Sequence, residues 1–220
     1  KTPEENDPEV TARVPIFIGR DDRYFNDKYQ VVPENGYTQL FYNLLNHKNI
    51  KILLNTDYKE VIHIDLISKK IYFLGNEFKG KLIFTGLIDE LFEYQYGVLE
   101  YRSLKIITKS IEKEYYQEAA TVNYPNNFDF TRITEFKHIH PVDSNKTTII
   151  YEYPDEYSLG KTPYYSMFTQ EAQEKYNKYL EISKYFPNII MVGRLAEYKY
   201  YDMDDVVERA LEVFEERIKK

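Results

Sequence analysis

NIIMVGRLAEYKYYDMDDVVERALEVFEERIKK, residues 188–220, settles which class of fold to expect. NIIMVG is a short apolar run of the length and composition of a buried strand. MDDVVERALEVFEERIKK has the spacing of a helix, with Val206, Ala210, Leu211, Val213 and Phe214 expected to face inward. From Gly193 to Asp205 the chain carries an arginine, a lysine, three tyrosines and three aspartates, too polar for a core and too aromatic for an idle loop. Gly193 permits a tight turn, and Asp202 or Asp204 can cap the helix. Ligands of open α/β sheets bind at such strand ends, beside free helix N–H groups. Arg194 suits a phosphate, and Tyr198, Tyr200 and Tyr201 can supply hydroxyls or ring faces. A capped helix beside a tyrosine-rich surface loop reads almost as well.

Upstream, ENGYTQLFYNLLNH (34–47) predicts a helix starting near Asn35 and Gly36, with Leu40, Phe41, Leu44 and Leu45 on one face. NIKILLN (49–55) is a buried-strand candidate, VIHIDLI and KKIYFL predict two strands joined by a turn, and KLIFTG is a further apolar run. RSLKIITKSI, AATVNY, FDFTRITEFKHIH and KTTIIYEY are then strand-like, separated by PNN and PVDSN turn chemistry. With no helices between them, an antiparallel sheet is expected. TQEAQEKYNKYLEISKYF predicts a helix. The order is α/β, antiparallel β, then α/β again, as when a segment leaves one domain and returns to it.

Composition bounds the function. The chain has 220 residues, enough for a real core. Its net charge of -7 argues against a general nucleic-acid or anionic-membrane surface. The absence of cysteine excludes thiolate chemistry and suits a cytoplasmic protein. No apolar run approaches the roughly 20 residues of a membrane helix. With 23 Tyr and no Trp, the aromatics favour wet pockets for polar ligands, although an AT-rich genome explains part of the excess. Alternation in FDFTRITEF places Phe128, Phe130 and Arg132 on one face. His138 and His140 share a strand face, but no further ligand stands nearby in sequence, so no metal is expected. His63 reads as structural, and Glu152 and Asp155 are carboxylates near a turn. GxGxxG, GxxxxGK[ST] and GxSxG are all absent.

Five segments together, RDDRYFNDKYQVVPENGYTQLF, FTGLIDELFEYQYGVLEYRSL, FTRITEFKH, TPYY and GRLAEYKYYDMD, resemble the carboxy-terminal part of bacterial UDP-galactopyranose mutase, from about Arg13 onward. The resemblance implies an α/β (α+β) fold, with an antiparallel substrate-binding sheet inserted into part of a Rossmann-like FAD domain. Residues 1–35 would be a lead-in and the first strand of the substrate sheet, 36–93 part of the FAD-binding domain, 94–165 the substrate sheet, and 166–220 the return to the FAD domain. It implies an isomerase that interconverts UDP-galactopyranose and UDP-galactofuranose. It further implies that N5 of reduced FAD attacks the anomeric carbon as UDP leaves, and that the sugar ring opens and recloses.

The resemblance also implies site residues. Arg132 reaches the diphosphate, and Glu152 and Asn123 lie near sugar and flavin, with Asn123 displaced by one residue in its spacing to Arg132. Arg102, Tyr165, Tyr200 and Asp202 line the substrate cleft. Gly193, Arg194, Met203, Thr85 and Gly86 face the flavin. UDP-galactose is the implied partner, together with a second copy, since the family tends to dimerise.

The chain also departs from the family pattern. The family reads R-[LI]-P-x-R near its first strand, whereas ARVPIFIG places Phe17 at the second arginine, and Arg20 would point to the opposite strand face. Phe136 stands where the family commonly has His. The GxGxxG flavin segment and the helical lid are also missing, so the chain is expected to be part of a longer polypeptide and inactive alone. A non-catalytic nucleotide-sugar-binding module, or a degraded remnant, is the alternative.

Overall fold

A computed structural model describes residues 19–20 and 27–219. Phe17, near the first strand expected within residues 1–35, lies outside the described residues. In chain order the elements are helix α1 (Gly36–Leu45), a helical turn (Tyr58–Val61), strands β1 (Ile62–Asp65), β2 (Lys70–Phe73), β3 (Asn76–Glu77) and β4 (Leu82–Phe84), and a turn (Ile88–Leu91). There follow β5 (Tyr101–Ile111), β6 (Thr121–Asn123), β7 (Arg132–Glu135), β8 (Thr147–Glu156) and β9 (Tyr165–Ser166). Helix α2 (Gln170–Ser183), β10 (Ile189–Met191) and helix α3 (Met203–Val213) close the chain. The protein is thus mixed α/β with antiparallel sheets. No helix among the described residues is long and apolar enough to cross a membrane.

The chain divides into two compact units. One holds Asn55–Ser103 and Tyr157 onward, the other the described residues up to Leu54 together with Leu104–Glu156. In the first unit β1, β2 and β3 form an antiparallel meander. β4 and β10 pair in parallel, Phe84 beside Met191, so both strands end at the same edge. The start of β5 pairs with β9, Arg102 opposite Tyr165. Helix α2 forms because Thr169 caps it, its side chain accepting from the Ala172 amide. It buries Ala172, Tyr176 and Tyr179, one stripe at helical spacing, among Phe84, Ile88, Phe92, Leu99 and Ile189. The buried tyrosines find partners: the Tyr179 hydroxyl donates to the Gly97 carbonyl at 2.7 Å.

Asp89 is fully buried in this unit. Its Oδ2 accepts from the Leu99 amide at 2.8 Å, while Oδ1 has no partner among the described residues. Burial pushes its carboxyl above the ordinary value, despite the backbone bonds that oppose the shift. An acid whose folded pKa exceeds its unfolded one takes up a proton on folding, so stability falls as pH rises through the window between the two. Asp89→Asn keeps the acceptor for Leu99 and removes the charge. The variant is expected to be at least as stable as the parent at neutral pH and to have lost that part of the pH dependence. Urea unfolding across pH measures this, and a destabilised, equally pH-dependent variant would contradict it.

In the second unit the strand order is β6-β7-β8-β5. β7 pairs antiparallel with both β6 and β8. Four expectations fail in these elements. Residues 49–55 form no strand, and Ile52, Leu53 and Leu54 are exposed, because an apolar run becomes a strand only beside a partner ladder. The strand at FDFTRITEF is confined to Arg132–Glu135, so Phe130 instead packs on Tyr151 and Tyr153. Tyr151 stands opposite Ile133, and the aromatics therefore lie on the face away from Arg132. His138 belongs to a 3-10 turn, with His140 just past it, so the two share no strand face. Helix α1 forms where expected but buries no residue.

Helix α3 of the first unit departs similarly. Only Val213 is buried, against Ile190 and Val192 of the β10 segment. Ala210 is exposed, as are Leu211 and Phe214. Ile83 of β4 is exposed too. Parallel strands are normally covered on both faces.

Candidate functional site

The first unit gathers one group of the expected residues where β10 ends. Gly193 turns the chain at φ +93°, a left-handed conformation, and its amide donates to Glu197 Oε2 at 2.9 Å. Glu197 Oε1 in turn accepts from Arg209 Nε of α3 at 2.8 Å. Arg194 donates through Nη2 to the Tyr164 carbonyl at 3.0 Å. Its guanidinium carbon lies 5.4 Å from the Tyr165 ring centre and 4.7 Å from that of Tyr200. The two rings are nearly parallel, 16° apart with centres separated by 6.4 Å. A guanidinium against two aromatic rings is held by their quadrupoles and still carries N–H groups for an anion.

The Tyr200 hydroxyl donates to Asp202 Oδ1 at 3.0 Å. Burial, then this carboxylate, push the hydroxyl pKa up, so it stays a donor. Asp202 is the N-cap of α3, and its amide donates to Asp205 Oδ2. Met203 begins the helix, its side chain exposed. Arg102 is exposed beside Tyr165 in the β5–β9 register. Thr85 and Gly86 follow β4, bordering a cavity of about 270 Å³ that Tyr58, Ile62 and Ile83 also line. At Gly86 a Cβ would fall 2.8 Å from the Phe84 ring, so a side chain there forces the ring to move.

The second unit gathers the other group. Asn123, Arg132 and Glu152 occupy one row across β6, β7 and β8. Paired residues of an antiparallel ladder point to the same face, so these three side chains converge. Arg132 Nε donates to Asn123 Oδ1 at 3.0 Å, and Nη1 lies 3.8 Å from Glu152 Oε2. The guanidinium is anchored on its Nε side and remains 41% exposed. Such a half-exposed pair adds little stability; its effect is orientation.

Two features escaped the sequence reading. Tyr198 was expected to offer its hydroxyl or ring to a ligand, yet it is 1% exposed and its hydroxyl points into the unit. Glu135 is completely buried and holds the 116–117 backbone. Period-2 alternation in RITE could have placed it inward, beside Ile133. His138 Nε2 donates to the Gln117 carbonyl at 2.9 Å, a structural bond.

The sequence profile that matches this chain is that of UDP-galactopyranose mutase, over residues 1–200. The chain belongs to the UDP-galactopyranose mutase family. Among curated relatives, it is 34% identical over 212 residues to the dTDP-fucopyranose mutase of Escherichia coli, covering 96% of this chain and 54% of the relative. It is 31% identical over 216 residues to a probable UDP-galactopyranose mutase of Klebsiella pneumoniae, covering 97% and 53%. It is also 31% identical over 215 residues to the UDP-galactopyranose mutase of Mycoplasma pneumoniae, covering 94% and 53%. The chain therefore spans about half the length of the mutases it matches.

Proposed function

We propose that the protein is part of a nucleotide-sugar mutase that interconverts the pyranose and furanose forms of UDP-galactose. The observation that carries this reading is the Arg194, Tyr165 and Tyr200 group at the carboxyl end of parallel strand β10, in a chain of this family. A diphosphate needs guanidinium N–H groups and hydroxyl partners, and these side chains supply them. Arg132, steered by Asn123 and Glu152 in the other unit, is a further cation suited to a phosphate. Arg102, Tyr165 and Tyr200 bind substrate, and Asp202 orients Tyr200. As the glycosidic bond breaks, negative charge grows on the leaving diphosphate, and fixed cations stabilise that state more than the ground state.

The residues present suit an FAD cofactor. At Gly193 a Cβ would meet nothing within 4 Å, which leaves room beside the strand end. The Met203 and Asp204 amides of α3 have no carbonyl within the helix to bond, while the Asp205 amide is taken by the Asp202 side chain. Thr85, Gly86 and Arg194 complete that side. Reduced flavin would supply the nucleophilic nitrogen for the anomeric carbon, while this chain binds the diphosphate and orients the sugar. The exposed faces of α1 and α3 favour the view that the chain acts within a larger polypeptide and is inactive alone. UDP-galactose and a second copy of the protein are the proposed partners, and the cytoplasm the proposed compartment. Phe17, in place of an arginine of the family pattern, favours a second reading, in which the site holds a nucleotide sugar without chemistry.

The test uses the whole polypeptide that the gene encodes, reduced with dithionite and incubated with UDP-galactofuranose. Chromatography is expected to show UDP-galactopyranose. Bound flavin and bound UDP without conversion would establish the non-catalytic reading, and failure to bind either would overturn both.

A further inference from the structure

Tyr198 lies four residues after Arg194 and two before Tyr200, yet it turns away from both. Its φ is +49°, a left-handed backbone that bulky side chains rarely adopt. Such strain persists only where surrounding contacts over-determine it. Here they do. The ring stacks on Tyr176 at 5.4 Å and 24°, meets Tyr101 edge-on at 5.4 Å and touches Phe168 at 6.3 Å. The hydroxyl's single proton faces two backbone carbonyls, Glu100 at 2.5 Å and Met167 at 3.0 Å.

Those carbonyls belong to the segments that carry the other site residues. Glu100 leads into β5 and Arg102, and Met167 follows Tyr165 and Ser166 of β9. One hydroxyl therefore ties three chain segments together: the Gly193–Tyr200 loop, the start of β5 and the end of β9. The left-handed Tyr198 lies in the turn in which the Glu197 amide donates to the Gly193 carbonyl and the Lys199 amide to the Arg194 carbonyl, and Tyr200 then comes beside Tyr165. Tyr101 offers a contrast within the same cluster, since its buried hydroxyl has no partner among the described residues.

We propose that Tyr198 is a positioning residue: its buried hydroxyl, bonded to the Glu100 and Met167 carbonyls, sets the loop that presents Arg194 and Tyr200 to a diphosphate. The loop's role rests on the function proposed above; the latch itself does not. Burial pushes the Tyr198 hydroxyl pKa well up, so the donor is retained throughout the physiological range. Removing it leaves the Met167 carbonyl without this donor, whereas Glu100 still accepts from the Met167 amide at 3.0 Å.

The experiment compares Tyr198→Phe and Tyr101→Phe in the whole polypeptide. Amide hydrogen exchange reads the latch directly. Exchange over 193–201 and 164–168 is expected to rise at least tenfold in Tyr198→Phe, with the α2 core unchanged, and to stay at parental rates in Tyr101→Phe. Calorimetry with UDP and with uridine reads the consequence. Affinity for UDP is expected to fall about tenfold in Tyr198→Phe while affinity for uridine holds, a split that general destabilisation would not produce. Unchanged exchange in Tyr198→Phe overturns the proposal, whatever the ligand data show. Raised exchange with unchanged UDP affinity overturns the positioning role. If the parent binds no UDP, the reading of the site fails, and with it the ligand-presenting part, while exchange still decides the latch.

Discussion

Arg132→Ala in the whole polypeptide is expected to lower kcat/KM for UDP-galactofuranose by roughly 30- to 5000-fold. Truncating one partner of a charge-assisted contact costs on the order of 2–5 kcal/mol, and about 1.4 kcal/mol is a tenfold change in rate. The geometry says why the loss should be large. Asn123 holds Nε, and Glu152 lies beside Nη1, so the guanidinium is aimed before substrate arrives and little ordering entropy remains to be lost. Because diphosphate charge grows as the sugar departs, most of the loss should fall on kcat. Arg132→Lys should recover only part of the activity, since an ammonium cannot reproduce the planar fork. Steady-state kinetics on the three proteins checks this. Activity of Arg132→Ala within twofold of the parent would remove Arg132 from the proposed site.

Glu135→Ala is the change expected to cost most stability, roughly 3 kcal/mol. The carboxylate accepts from the Tyr116 and Gln117 amides at 2.9 Å each and from the Thr147 hydroxyl at 2.6 Å. Deleting it strands these donors, and unmet buried donors cost about 1–3 kcal/mol each before relaxation. Lys137 reinforces the same loop, donating to the Glu114 and Ser144 carbonyls. Burial alone would raise the Glu135 pKa, but these bonds and nearby His138 outweigh it and hold the carboxyl below its usual value. The folded pKa thus lies below the unfolded one. The contribution is complete above the unfolded pKa and disappears as pH falls through the folded one. Urea unfolding should show a large gap between parent and variant at neutral pH, narrowing in acid. An equal gap at every pH would show that the charge on Glu135 is irrelevant.

Helix α2 was legible because its signals are local: Thr169 caps it, and Ala172, Tyr176 and Tyr179 recur at helical spacing. The β1–β2 pair, β5, β8 and β10 were legible from β-branched runs between turn residues. The row of Asn123, Arg132 and Glu152 was not, because cross-strand register depends on which strands pair. Residues 49–55 were misread for the same reason. An apolar run states a preference for burial and does not name a partner.

The sequence by itself determined the mixed α/β class and the positions of most elements, since propensity, capping and side-chain chemistry act within a few residues. Tertiary structure alone decided which faces are covered. It left α1 and most of α3 open, turned Tyr198 inward rather than toward a ligand, and buried Glu135 under its own loop. Burial and register are collective: each is settled by segments far apart in the chain, such as Tyr198 with Glu100 and Met167, which no local pattern records.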